Sequence, residues 1–362
     1  MTAFPPLREE LRGIEPYGAP QLSLDEAPVQ LNVNENPYAP SEAVVRDVAE
    51  AVAQATRSLN RYPDREFTAL REDLAAYLGH GVTPAQVWAA NGSNEVMLQL
   101  LQAFGGPGRT AVSFAPTYSM YPEYARDTHT AWVVGHREED FTLDVAHARE
   151  VVAEHRPSVV LLPSPNNPTG TALPPDTVVE LCAAAAEVDG LVVIDEAYGE
   201  FRRAGTPSAL EVLDETPNLV VTRTMSKAFA LAGARLGYLA ASSEICDALR
   251  VVRLPYHLSA VTQAVARVAL RHADELLARV DDLRAERDAT VEWLRGRGLE
   301  VAQSDANYVL FGRFPDRHAV WSGLLERGVL VREVGPDGWL RVSIGTAAEM
   351  SAFQQALTEV LP

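Results

Sequence analysis

Three short runs constrain this chain more than any other feature. Ser158–Leu162 (SVVLL), Leu191–Ile194 (LVVI) and Leu219–Thr222 (LVVT) are continuous, apolar and rich in β-branched residues. Strands covered on both faces have this composition, because neither face meets water and no polar alternation is required. An Ala-rich helical stretch, Asp176–Glu187, separates the first two. Strand-like and helix-like stretches alternate from about Ser41 to Ala240, which predicts a doubly wound α/β domain.

Each run ends in polar residues. The first leads into Pro163-Ser164-Pro165-Asn166-Asn167-Pro168-Thr169-Gly170, the second into Asp195-Glu196-Ala197-Tyr198, the third into Thr224-Met225-Ser226-Lys227. Asn167 and Asp195 lie 28 residues apart, Asp195 and Lys227 32. One strand–helix–strand unit fills such an interval. An amide, a carboxylate and an amine are therefore expected at one carboxyl-end edge of a sheet, where open α/β sheets bind ligands.

Composition sharpens the third of these. Of 31 basic residues, 30 are Arg and one, Lys227, is Lys. A guanidinium keeps its proton at any useful pH, whereas a lysine amine can release it and attack a carbonyl. Upstream, Asn91-Gly92-Ser93-Asn94-Glu95 precedes the apolar stretch Val96–Phe104. A Gly-Ser turn opening a helix offers backbone N–H groups and the positive dipole end to a phosphate, and also serves elsewhere as an ordinary N-cap. Arg235, eight residues past Lys227, offers a bidentate phosphate donor or is a plain loop arginine. An amine, a carboxylate, an amide and a phosphate site together match pyridoxal phosphate. The amine bonds its aldehyde, the carboxylate keeps the pyridine nitrogen protonated, and an amide with a tyrosine hydroxyl holds the ring oxygen.

After Leu254-Pro255 the texture changes. A helical period runs from about Thr262 to Arg297, interrupted near His272–Asp274, and is followed by short strands at Asn307–Phe311, Val329–Val334 and Trp339–Ile344. Helices are expected over about His318–Arg327 and Ala347–Leu361, the last opened by a Thr346/Glu349 capping box. This is a smaller α+β unit. Residues 1–40, rich in Pro and Asn, form an arm; 41–250 the large domain; 251–362 the small one.

The balance of 49 acidic against 31 basic residues, a formal charge of −18, argues against nucleic acid or an anionic membrane as partner. No apolar run reaches the ~18 residues of a membrane span. Met1 to Arg12 lacks an apolar signal core, so export is not expected. Cys182 and Cys246 offer neither a disulfide framework nor a metal cluster, and a reducing cytoplasm is the simplest compartment. Gly105-Gly106-Pro107-Gly108 follows a helix and contains Pro, which counts against a nicotinamide-binding turn.

The chain resembles the fold-type-I pyridoxal-phosphate aminotransferases, and within them most closely the histidinol-phosphate aminotransferase family. The resemblance spans nearly the whole sequence. It is carried by Leu31-Asn32-Val33-Asn34-Glu35-Asn36-Pro37-Tyr38, Arg61-Tyr62-Pro63-Asp64, Ser164–Gly170, Asp195–Tyr198, Arg223–Phe229 and Leu231–Gly237. It implies a large domain with a mostly parallel, seven-stranded sheet and a smaller α+β C-terminal domain. By this resemblance Lys227 is the lysine that bonds the cofactor, Asp195 the partner of the pyridine nitrogen, and Tyr198 and Asn167 the donors to the ring oxygen. Gly92, Ser93 and Asn94 match the phosphate turn, joined by Thr224, Ser226 and Arg235. Tyr118 matches the aromatic on the pyridine face. Tyr62 matches a tyrosine that reaches the phosphate of a neighbouring subunit, which implies a homodimer with shared sites. Arg341, Arg332 and Tyr17 match substrate-side residues.

The residues qualify these matches. Arg341 alternates with Leu340, Val342 and Ile344, so it faces away from them and is either a substrate-side group or a plain solvent arginine, and Arg332 has Glu333 beside it, which could partly neutralise it. His257 is expected to be structural, while Asn34 and Glu35 carry no assigned role. The implied reaction is transamination of L-histidinol phosphate with 2-oxoglutarate in histidine biosynthesis. An aromatic amino acid aminotransferase is the rival on the same scaffold, followed by a phospho-amino-acid decarboxylase on a related one. A non-catalytic regulator would need a nucleic-acid-binding domain and a basic patch that the acidic chain lacks.

Overall fold

The computed structural model describes residues 5–16, 18, 22, 23 and 25–361. The arm contributes β1 (Val29–Gln30), and α1 (Glu42–Thr56) and α2 (Thr68–Leu78) follow it. Next come β2 (Val87–Ala90), α3 (Ser93–Phe104), β3 (Thr110–Ala115), α4 (Tyr121–Asp127), β4 (Ala131–His136) and α5 (Val145–His155). The three apolar runs lie in β5 (Val159–Pro163), β6 (Leu191–Asp195) and β7 (Leu219–Thr224), with α6 (Pro175–Ala186) between the first two. β8 (Gly237–Ala240) and α7 (Ser243–Val252) complete this part.

These strands form one seven-stranded sheet in the order β2-β8-β7-β6-β5-β3-β4. Only β8 runs against the others. The register sets Asp195 beside Pro163 on one side and Thr222 on the other, so the ends of β5, β6 and β7 lie level. The reversed strand matters for the site. It pairs Gly237 with both Thr224 and Ala90, so the chain that leaves Lys227 re-enters the sheet at the same edge and brings Arg235 with it.

The remainder is α8 (Ala260–Arg271), α9 (Ala273–Gly296), β9 (Glu300–Val301), β10 (Tyr308–Gly312), α10 (Arg317–Glu326), β11 (Val329–Leu330), β12 (Trp339–Ser343) and α11 (Ala347–Val360). The helical period does break at His272, and the Thr346/Glu349 capping box opens α11 as its spacing predicts. β12, β10 and β9 form a three-stranded antiparallel sheet, and β1 of the arm pairs in parallel with β11.

Two main apolar clusters result. The first holds the buried strand residues of the large sheet and the helices around it. The second gathers Leu283, Val291, Leu294, Phe311, Phe353 and the inward face of β12. Leu258, Ala266, Ala269 and Leu276 pack with the first cluster, although the division at residue 250 assigned them to the small domain. The reason is that α8 lies against α1 and α2. An apolar helix period reveals that a face is buried but not what it is buried against.

Candidate active site

The level ends of β5, β6 and β7 open onto one cavity of about 270 Å³. Asn167, Asp195, Tyr198, Thr224, Ser226 and Lys227 all line it, as do Ser93 and Asn94 from the start of α3, Arg235 from the approach to β8, and Tyr118. The small domain closes it with Arg341 and Arg332, and the arm with residues 32–34.

Asp195 and Glu196 are adjacent, buried carboxylates in opposite surroundings. Glu196 faces away from the cavity and bonds Arg223 (2.7 Å) and Arg202 (2.9 Å). Burial alone would raise its pKa, and these guanidiniums overrule it and hold it below the usual carboxylate range. Asp195 accepts hydrogen bonds from Thr222 Oγ1 (3.0 Å), Tyr121 Oη (3.1 Å) and the Ala197 amide (3.2 Å). Burial outweighs those bonds and pushes its pKa up to about 6. No described Lys, Arg or His pairs with it. A buried carboxylate on a cavity wall without a cation is costly when ionised, and a protonated ring nitrogen would supply the missing charge.

Lys227 is the second perturbed group. Burial, then the positive charge of Arg341, lowers its pKa to about 8, so a substantial fraction is neutral and nucleophilic near that pH. Its Nζ donates to the Val33 carbonyl at 2.9 Å.

The anion end is built from backbone. Gly92 sits at φ +86° immediately before α3, whose first turn has no side-chain cap. Its N–H groups thus face the cavity with the helix dipole behind them. Gly237 packs so closely that a Cβ there would overlap the Ser93 amide nitrogen, and a Cβ on Gly92 would collide with the Arg235 guanidinium. Thr224 Oγ1 donates to Ser226 Oγ at 3.0 Å, and the Arg235 guanidinium reaches that same oxygen at 3.4 Å. Two hydroxyls, a guanidinium and a helix N-terminus make a donor-rich site for a phosphate. With the amine and the unpaired acid, the donor set fits pyridoxal phosphate.

The comparisons agree with this geometry. The model of the family "Aminotransferase class I and II" matches residues 26–357. The chain belongs to the class I and II aminotransferases. Such an enzyme is pyridoxal-phosphate dependent, in keeping with the cavity. The chain is 63% identical over 352 residues to "Histidinol-phosphate aminotransferase" of Thermobifida fusca, covering 97% of this chain and 94% of that one. It is 60% identical over 360 residues to "Histidinol-phosphate aminotransferase 3" of Burkholderia lata, with 98% and 96% covered. Its fold matches the histidinol-phosphate aminotransferase of Sinorhizobium meliloti, solved in complex with pyridoxal-5'-phosphate, at a TM-score of 0.86, 25% identity and 99% and 98% coverage.

In this aminotransferase Arg341 Nη1 donates to Asn167 Oδ1 (2.6 Å) and Nη2 to the Asn32 carbonyl (2.8 Å), with the guanidinium 5.1 Å from the Tyr308 ring centroid. It faces away from Leu340 and Val342, as the alternation predicts. Arg332 sits across a β-bridge from Arg341. Glu333 does not neutralise it. That carboxylate points to the other side of the chain and bonds Arg317 (3.2 Å) and His318 (3.0 Å). Tyr62 is 79% exposed, stacks on Tyr256 at 4.4 Å, and is not part of the cavity wall. His257 bonds the Ala89 carbonyl, stacks on Trp88 and is not part of the cavity wall. Tyr17 falls outside the described residues.

Several participants carried no local signal. Tyr121 reaches Asp195 from α4, and Asn32, Val33 and Asn34 reach the cavity from the arm. The 32–34 segment stood inside a family-like motif, which was the only clue available.

Proposed function

We propose that this enzyme transfers the amino group of L-histidinol phosphate to 2-oxoglutarate, giving imidazole acetol phosphate and glutamate, as a step of histidine biosynthesis. The observation that carries the reading is the pair Arg341 and Arg332, which lines the same cavity as Ser93, Asn94 and the Lys227 amine. One arginine pair can receive the phosphate of the amino donor in one half-reaction and a carboxylate of the 2-oxo acid in the other. Relatives named histidinol-phosphate aminotransferase at 54–63% identity over nearly full length support it, and nothing comparable favours the aromatic rival.

When bound, pyridoxal phosphate supplies an aldehyde that captures the amino group and a ring that accepts the electrons left when a C–H bond breaks. The chain does the rest. The Lys227 amine would hold the cofactor's aldehyde, and when free it would serve as the base and acid that moves the proton at the substrate carbon bearing nitrogen. Asp195 would face the ring nitrogen and favour its protonated form. Asn167, whose Oδ1 accepts from Arg341, would have its NH2 group left for the ring oxygen, and Tyr198 would donate to the same oxygen. Gly92, Ser93, Asn94, Thr224, Ser226 and Arg235 hold the phosphate, and Tyr118 covers one ring face.

The active form is a homodimer in which Tyr62 reaches the phosphate bound by the partner. Supporting this, Tyr62, Val251 and Leu254 are strongly exposed, Tyr256 half so, in two segments joined by the Tyr62–Tyr256 stack. Exposed apolar side chains gathered in this way mark an interaction surface. The cytoplasm is the proposed compartment, in keeping with two buried thiols that form no disulfide. No described helix is long and apolar enough to cross a membrane. The deciding experiment compares turnover of histidinol phosphate and of phenylalanine, each against 2-oxoglutarate. Efficient turnover of the first is expected, and its absence would overturn the assignment.

A further inference from the structure

We propose that Asn34 is a positioning residue that fixes the direction in which the Tyr198 hydroxyl donates. The inference rests on the reading of Tyr198 as a donor to the cofactor's ring oxygen.

Residues 32–34 cross the cavity as a strap, and each holds one functional side chain. The Asn32 carbonyl accepts from Arg341, the Val33 carbonyl from Lys227, and Asn34 Nδ2 donates to Tyr198 Oη at 2.9 Å. Asn34 is buried and sits at φ +56°, a left-handed conformation that Asn tolerates better than most residues. Its orientation is set from the small domain. The Asn34 backbone N–H donates to Ser343 Oγ at 2.9 Å, and Ser343 returns its own proton to Asn34 Oδ1 at 2.9 Å. Asn307 Nδ2 holds the Asn34 carbonyl at 3.1 Å.

This chain of bonds has a polarity. A backbone N–H can only donate, so the serine oxygen accepts there and spends its single proton on the amide oxygen. The amide then presents its NH2 to Tyr198. The phenol oxygen receives that hydrogen bond, and its own proton has to go to a different acceptor. In the loaded enzyme that acceptor is the ring oxygen. The Tyr198 ring packs edge-on against Tyr308, with centroids 4.9 Å apart, which restrains the ring plane, and the Asn34 NH2 occupies one lone pair of the hydroxyl.

The test follows the pH midpoint of the bound cofactor's visible absorption band in the purified holoenzyme, a property independent of turnover. A donor to the ring oxygen stabilises its negative charge, so losing the donor makes protons bind more tightly and raises the midpoint. Tyr198→Phe is expected to raise it by about one pH unit, the scale of one hydrogen bond to a charged group. Asn34→Gly tolerates the same φ and adds no charge, and is expected to raise it by about half a unit. Ser343→Ala, which unlocks the same amide from the β12 side, should move it in the same direction and carries the test if the glycine variant folds poorly. In the Tyr198→Phe background neither change should add a further shift, because no hydroxyl remains to orient. An unmoved midpoint in both the Asn34 and Ser343 variants overturns the proposal. So does a shift that persists in the Tyr198→Phe background, which is the mark of general loosening. If Tyr198→Phe itself leaves the midpoint unmoved, the reading of Tyr198 falls and this proposal falls with it.

Discussion

The two sides of the cavity are built by different means. On the sheet side, Asp195, Thr224, Ser226 and Lys227 follow directly from two neighbouring strands whose register is set by backbone pairing. Their positions are as rigid as the sheet. On the other side, Arg341 and Arg332 are paired through their backbones and Asn34 comes from the arm, and these are tied to the sheet side by side-chain hydrogen bonds that join distant segments, such as Asn34–Tyr198 and Arg341–Asn167. Substitutions on the sheet side should therefore remove chemistry and leave architecture intact. Those on the other side should change substrate affinity and geometry together.

The sharpest way to break this contrast is Lys227→Arg. It keeps the charge and removes the releasable proton, and turnover should fall by about 10⁴-fold or more with an unchanged circular dichroism spectrum. A loss of secondary structure would show that the sheet edge is less independent than described. Asp195→Asn should lower turnover by about 10²–10³-fold. It should also stabilise the cofactor-free protein. The raised pKa of Asp195 means that its favourable contribution is present below its unfolded value of 3.8 and is lost as pH rises through about 6. Above pH 6 the Asn variant without cofactor should thus be more resistant to urea, by an amount on the order of 2 kcal/mol, with the advantage absent near pH 4. Arg341→Lys replaces a two-pronged donor by a point charge. KM for 2-oxoglutarate should rise about 10–100-fold, while cofactor affinity, measured by equilibrium dialysis, stays within about twofold. Gly237→Ala should push the Ser93 turn aside and weaken cofactor binding by about tenfold with every side chain of the site untouched. The smallest effect concerns pH alone. Cofactor capture by the apoenzyme should speed up as pH rises towards about 8 and then level off, following deprotonation of Lys227.

The same contrast explains what could be read in the chain. The apolar runs and their polar ends revealed the sheet, its edge and the groups gathered there, because sequence neighbours remain spatial neighbours at a strand end. Alternation along one strand showed which face Arg341 takes, and only the resemblance pointed to a site role. Asn34, Ser343 and Tyr121 were not, because a hydrogen bond between residue 34 and residue 343 leaves no periodic trace. Glu333 misled for a related reason: adjacency along an extended chain places side chains on opposite faces, so the nearest charge in sequence is a poor guide to the pair that forms. The packing of α8 against α1 depended on a long-range match of two apolar faces, which a helix period cannot name.

The parallel pairing of β1 with β11 has a mechanical corollary. Leu31 is stitched to Leu330 and Ser343 through backbone bonds of 2.8 and 2.9 Å, so the strap that follows it travels with the small domain. Any rotation of that domain relative to the large sheet has to stretch the Val33–Lys227 and Asn34–Tyr198 contacts together. The strap is thereby fastened at one end to the strand that carries Arg341 and further along to the Lys227 amine.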